Sequence, residues 1–186
     1  MYKRQGLGDE DVLRLLPKGV TDAITIYAQI ADEDMVTAFH ALDEPPTRVP
    51  SKIKALIMAR LTLAQAHKEA VSKTVTYLAA PQQAPLASKL LYNTVDVMWR
   101  TAGDEATDSS FYSKRATLAA VYSATLLAFL SDDSADLTKT EAFLDRRLQN
   151  VAHIPKITKP VRSALEGAFG MVSQLASRMT AGRHQR

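Results

Sequence analysis

The chain contains no cysteine, and its 186 residues include only 7 glycines, 8 prolines and 6% aromatics. Absent thiols exclude a disulfide framework, thiolate zinc sites, a cysteine nucleophile and cysteine-ligated iron–sulfur clusters. Few turn formers and few aromatics, against abundant Ala, Leu, Lys, Arg and Glu, favour helices over a barrel or sandwich. Long hydrophobic runs are also missing. The most apolar stretch, ATLAAVYSATLLAFL at 116–130, is 15 residues long, whereas a spanning helix needs roughly 20; it reads as a central core helix. The opening MYKRQGLGDED has no apolar stretch after its basic pair and is too acidic for a transit peptide, so no targeting signal is read there.

Catalytic signatures are missing as well. There is no HExxH, GxSxG, Walker A or complete GxGxxG. Glu-x-x-His occurs nowhere, and His40, His67, His153 and His184 are scattered, so they read as surface residues rather than metal ligands. The acidic pairs Asp104–Glu105 and Asp132–Asp133 sit at expected helix ends, where carboxylates are usually solvated caps. No catalytic residue, metal site or cofactor is therefore expected.

What is present is 46% hydrophobic and 23% charged, enough for one globular domain with a substantial core. Apolar residues recur at three and four rather than at two, which predicts helices over 9–16, 21–42, 51–66, 68–80, 86–102, 109–131 and 138–153, then a last one after Pro160. In the second of these, Ile24, Tyr27, Ile30, Phe39 and Leu42 are candidates for burial. The segment DEPPTRVP must interrupt helix, because prolines remove donors and fix φ. Gly103 suits a left-handed C-terminal cap, Asp108 an N-cap, and Thr138 to Glu141 a capping box.

Charge is unevenly distributed. Residues 156–186 hold six basic side chains and one acidic, a local +5, which leaves −2 for the preceding 155 residues of a chain whose net charge is +3. Stepping 100° per residue from Val161, one arc about 160° wide holds Val161, Ala164, Leu165, Ala168, Phe169, Met171, Val172, Leu175, Ala176 and Met179. The opposite arc carries Arg162, Arg178 and small polar residues. Such a helix either packs on its own domain or lies on an external surface. Its terminal position, its proline-bounded arm with Lys159, and its positive excess favour the surface. Half-burying seven large apolar side chains contributes on the order of 5 to 10 kcal/mol before ordering costs, and each basic residue near an anionic leaflet about 1. An anionic membrane satisfies both contributions, whereas nucleic acid uses only the charges.

A second notable feature flanks the loop at 103–109. Met98 and Trp99 end one expected helix while Phe111 and Tyr112 begin the next. Some of these four belong to the core. Consecutive helical residues point about 100° apart, however, so an exposed cluster with the character of a protein-binding hot spot is the competing reading.

The run MWRTAGDEATDSSFYSKRATLAAVYSATLLAFLSDDSAD, followed by FLDRRLQNV, closely resembles the signature of the ubiquinone-biosynthesis lipid-binding accessory family, the ninth coenzyme Q protein and its proteobacterial relatives. The likeness covers about 51–151 and includes Met98, Trp99, Ala102, Gly103, Asp104, Thr107, Asp108, Tyr112, Lys114, Arg115 and Ala116. Phe111 stands where the family usually has tryptophan, Ser109 and Ser110 replace Phe-Asn, and Ala106 replaces serine. The resemblance implies an all-α, TetR-like helical bundle, commonly dimeric, that binds isoprenoid quinone intermediates without catalysing a reaction. It implies docking on the membrane and presentation of the lipid to the pathway hydroxylase. The patch for that partner carries over to Met98, Phe111 and Tyr112. The membrane face carries over to Val161, Leu165, Phe169, Val172, Leu175 and Met179, with Lys159, Arg162 and Arg178.

A lipid pocket is expected between the helices at 86–102 and 109–131, with Leu90, Leu91, Val95, Leu118, Tyr122 and Leu126 as its lining. The chain then divides into 1–50, a helix-turn-helix remnant and connecting helix; 51–155, the lipid-binding core; and 156–186, the basic arm and amphipathic helix. GLGDEDVLRLLPKG resembles only the third helix of the family's N-terminal trio, as in a truncated gene product. The acidic run from Asp9 to Asp11 would repel phosphates, so no nucleic-acid partner is expected. A TetR-like regulator with a lipophilic effector is the alternative. The expected location is peripheral on the inner membrane, at its cytoplasmic face in a bacterium or its matrix side in a eukaryote.

Overall fold

The computed structural model describes residues 14, 16–104 and 110–152. The expected helix at 9–16, the Asp108 cap, His153, His184 and the whole segment 156–186 therefore lie wholly or almost wholly outside the described residues. Every regular element among those described is helical, as the all-α expectation requires: α1 Val20–His40, α2 Val49–Gln65, α3 Lys68–Leu78, a short 3₁₀ turn Pro81–Gln83, α4 Ala84–Thr101, α5 Ser110–Ser131 and α6 Thr138–Ala152.

Local chemistry sets the boundaries. Gly19 adopts φ 58° just before α1, and the Lys18 N–H donates to Asp22 Oδ2 at 2.7 Å, so a first-turn carboxylate fixes the entry of the chain. Prolines occupy the first turns of α2 and α4, where the missing N–H leaves no helical bond unmade. This explains why α4 starts slightly before the expected position. At its far end Gly103, with φ 88°, donates to the Arg100 carbonyl at 3.0 Å while the Asp104 N–H reaches the Trp99 carbonyl at 3.0 Å. These paired bonds form the expected left-handed glycine cap.

The N-terminus of α6 differs from the expected capping box. Thr138 is the first helical residue rather than the cap, and Glu141 turns outward to Lys54 at 2.9 Å. Asp132 takes over the capping by accepting from the Thr140 N–H at 2.8 Å and its hydroxyl at 2.7 Å. Asp136 also accepts from the Thr138 N–H, at 3.3 Å. The Asp132–Asp133 pair is accordingly split, with Asp132 buried and Asp133 exposed in a bond to Lys139.

Helix α1 lies against α2 and α4, α4 against α5, α5 against α6, and α6 closes back on α2. Met35, Leu56, Ile57, Val95, Met98, Phe129 and Leu144 are fully enclosed where these helices meet. Ile24 and Phe39 of α1 are buried as expected, whereas Tyr27, Ile30 and Leu42 are exposed. Leu42 lies past the end of its helix. Tyr27 and Ile30 face a void instead of a packed neighbour.

Candidate functional site

A cavity of about 480 Å³ opens between α1, α2, α3, α4 and α5. That volume falls within the range of small-molecule sites, roughly 300–1,000 Å³. Helix α4 contributes Ala87, Leu90, Leu91 and Thr94, an i, i+3, i+4, i+7 stripe, and α5 contributes Tyr122, Ser123, Leu126 and Leu127. Small residues Ala28, Ala31 and Ala64 leave room on the opposite wall. Tyr27, Ile30 and Leu63 line the cavity and are also 36%, 50% and 46% exposed. They form an apolar rim that reaches solvent.

Four of the six expected lining residues, Leu90, Leu91, Tyr122 and Leu126, are on its wall. Val95 and Leu118 are not. Val95 is turned 100° from Thr94 and is completely enclosed in the core, while Leu118 lies one turn before Tyr122 and packs there too. The site is also wider than a cleft between two helices, since α1, α2 and α3 supply much of the wall.

The inner part of the cavity is polar. Arg60, Thr94 and Tyr122 all line it and are nearly inaccessible to solvent. Arg60 Nε–H donates to the Tyr122 hydroxyl oxygen at 2.8 Å, and the Thr94 hydroxyl donates to Asp32 Oδ2 at 3.1 Å. Arg60 Nη1 approaches Asp32 Oδ1 to 2.5 Å, yet neither atom has an aligned hydrogen bond; the contact is an ion pair with poor directionality. Burial pushes the Asp32 carboxyl above its ordinary value, against the pull of Arg60 and Thr94. Burial also works against the Arg60 charge, but Tyr122 and Asp32 more than offset it, so the guanidinium stays charged. Burial raises the Tyr27 phenol, with Arg60 opposing. Of this set only Tyr122 was legible in the sequence as a lining residue; Arg60, Thr94 and Asp32 were not, although an arginine inside the largely apolar run IKALIMARLTLA signals a charge that needs a buried partner.

A second cluster braces the joint between α4 and α5. Arg115, nearly inaccessible, donates through Nε to Asp96 at 2.7 Å and through Nη1 to Asp104 at 3.4 Å. Lys114 bonds Asp104 at 2.6 Å and stands 5.7 Å from the centre of the Trp99 ring. The bond from Lys114, and the nearby Arg115, hold the Asp104 carboxyl below its ordinary value despite its burial. The Arg115 guanidinium lies 3.4 Å from the centre of the Phe111 ring, and Phe111 meets Tyr112 edge to face at 5.1 Å. Of the expected patch, Tyr112 is 61% exposed and Phe111 half-buried. Met98 is completely buried, because its side chain faces the core shared by α2, α4 and α5, and so cannot be an exposed contact. Asp104, Lys114 and Arg115 thus form an ionic brace, and Asp104 is an ion-pair partner rather than a solvated cap.

This brace and the two cavity stripes lie on one continuous stretch of chain. Residues 84–155 match the COQ9 family model. Similar proteins include the COQ9 ubiquinone biosynthesis proteins of Rattus norvegicus and Homo sapiens, 33% and 32% identical over 114 residues, which is 61% of this chain and 36% of each relative. The Dictyostelium discoideum protein, named a probable ubiquinone biosynthesis protein, is 28% identical over 114 residues, 61% of this chain and 37% of its own length. These COQ9 relatives are all named as mitochondrial. The match spans little more than a third of the relatives' length, and the segment matched by the family model includes the signature that runs from Met98 to Arg115.

Among the described residues, no group of His, Asp and Glu could hold a metal ion, and no helix is long and apolar enough to cross a membrane. The expected membrane residues Lys159, Val161, Arg162, Leu165, Phe169, Val172, Leu175, Arg178 and Met179 lie outside the described residues.

Proposed function

We propose that this chain is a lipid-binding accessory protein of ubiquinone biosynthesis, which binds isoprenoid quinone intermediates and presents them to the pathway hydroxylase at a membrane. The observation that carries this reading is the apolar cavity, whose lining residues Leu90, Leu91, Tyr122 and Leu126 lie within the segment that matches the COQ9 family. An apolar cavity gains from a hydrocarbon chain in proportion to the area removed from water, about 25 cal/mol per Å². No catalytic role is assigned to any residue. Tyr112 and Phe111 offer the hydroxylase a rigid aromatic contact beside the Asp104 brace, and the amphipathic segment 161–179 supplies the membrane contact. The protein acts as a homodimer, peripheral on the inner membrane at its cytoplasmic face or matrix side according to its source.

Mass spectrometry of lipids extracted from the purified full-length chain tests this reading. An isoprenoid quinone or its polyprenylated precursor should co-purify in stoichiometric amount. A chain that carries no such lipid, and takes none up from quinone-loaded vesicles, would remove the reading.

A further inference from the structure

The inner part of the cavity is rich in unspent hydrogen-bond donors. An arginine has five N–H donors, and among the described residues only the Arg60 Nε–H has an aligned acceptor, the Tyr122 oxygen. That oxygen is occupied as an acceptor, so the Tyr122 O–H proton must be donated elsewhere, and no described residue accepts it. Thr94, by contrast, spends its proton on Asp32. Buried donors without acceptors are costly, about 1–3 kcal/mol each, which makes their persistence at one end of an apolar cavity informative. The guanidinium is neutralised by Asp32 close by, so the end offers donors without offering much net charge. A free anion gains little there. A neutral head with acceptor oxygens satisfies both donors.

We infer that Arg60 and Tyr122 form the head-group end of the cavity and select an amphiphile whose polar terminus is a neutral carbonyl or aryl-ether oxygen, seated head-inward with its hydrocarbon chain running toward the exposed Ile30 and Leu63. The inference rests on the lipid-binding reading and goes further, because it fixes which end of the lipid is innermost. A ring held this way is shielded from water and from any other protein. Transfer to another protein then requires the lipid to slide out rather than a partner to reach in.

The test titrates the full-length chain with two probes in the same detergent, a short-chain ubiquinone and a hydrocarbon of matching tail length. Wild type is compared with Tyr122→Phe, which removes only the hydroxyl, and with the double variant Asp32→Asn/Arg60→Met, which removes the guanidinium donors without stranding a buried carboxylate and keeps an acceptor oxygen for Thr94. Each variant should weaken quinone binding roughly tenfold while leaving the hydrocarbon unchanged, the loss expected for one hydrogen bond to a buried donor. The infrared carbonyl stretch of bound quinone should sit at lower frequency in wild type than in Tyr122→Phe, a difference that altered packing alone would not produce. Equal quinone affinity in wild type and both variants, or a parallel loss of the hydrocarbon, would overturn the head-group assignment and leave the lipid cavity standing. Failure of wild type to bind either probe would overturn both.

Discussion

Asp132 terminates α5 and opens α6, accepting from the Ser134 N–H and hydroxyl and from the Thr140 N–H and hydroxyl. Burial alone would raise its pKa, but those four donors outweigh it and hold the carboxyl far below the ordinary value of 3.8. A depressed carboxylate stabilises the fold above its ordinary pKa, and the contribution disappears as pH falls toward the folded-state value. Asp132→Asn should therefore cost about 1–3 kcal/mol near neutral pH. Urea unfolding at a series of pH values checks this: the gap between wild type and variant should be constant above about pH 5 and narrow steadily below it. A gap independent of pH would show that shape, not charge, holds the two helices. The identity of this cap was not legible from sequence, since Asp132, Asp136 and Thr138 all suit a cap and only the three-dimensional path of the loop decides among them.

Helix positions were legible because their causes are local. The 3.6-residue period places all six described helices, and the ends shift by a few residues where Pro50, Pro85 or Gly103 governs the boundary. Which face a residue occupies at a helix end is less local. Met98 and Tyr112 both flank the same loop, yet Met98 is fully enclosed and Tyr112 is 61% exposed. The difference arises because α4 and α5 pack together through the Arg115–Asp96 and Arg115–Asp104 pairs, a long-range contact that periodicity does not report. The two residues should separate cleanly on substitution. Met98→Ala should lower stability by about 2–5 kcal/mol, as deletion of buried methylene groups does. Tyr112→Ala should leave the unfolding free energy within about 0.5 kcal/mol of wild type and, on the proposed function, reduce capture of the chain by the pathway hydroxylase at least tenfold in a surface-binding assay. Reduced stability without reduced capture at Tyr112 would assign the ring to packing.

At the scale of the whole molecule, the cavity needed the assembly of five helices and was only partly foreseen, because apolar residues that line a void and apolar residues that fill a core look alike in sequence. Val95 and Leu91 illustrate this, one turn apart on α4 and yet one in the core and the other on the cavity wall. The charge distribution, in contrast, can be read directly: −2 over the first 155 residues and +5 over the last 31. Residues 156–186 carry their apolar side chains on one arc together with the chain's positive excess, so on the membrane reading their removal should abolish co-flotation with anionic vesicles while leaving thermal unfolding of the helical body unchanged. Raising the salt should weaken flotation of the full chain only in part, because screening removes the contribution of about 1 kcal/mol per basic residue but not the larger apolar one. Phe169→Asp with Leu165→Asp, which keeps the chain length and strikes only the apolar face, should release the protein as completely as the deletion does. If flotation instead survives the deletion, the membrane contact belongs to the exposed apolar rim at Tyr27, Ile30 and Leu63, and the basic tail has another purpose.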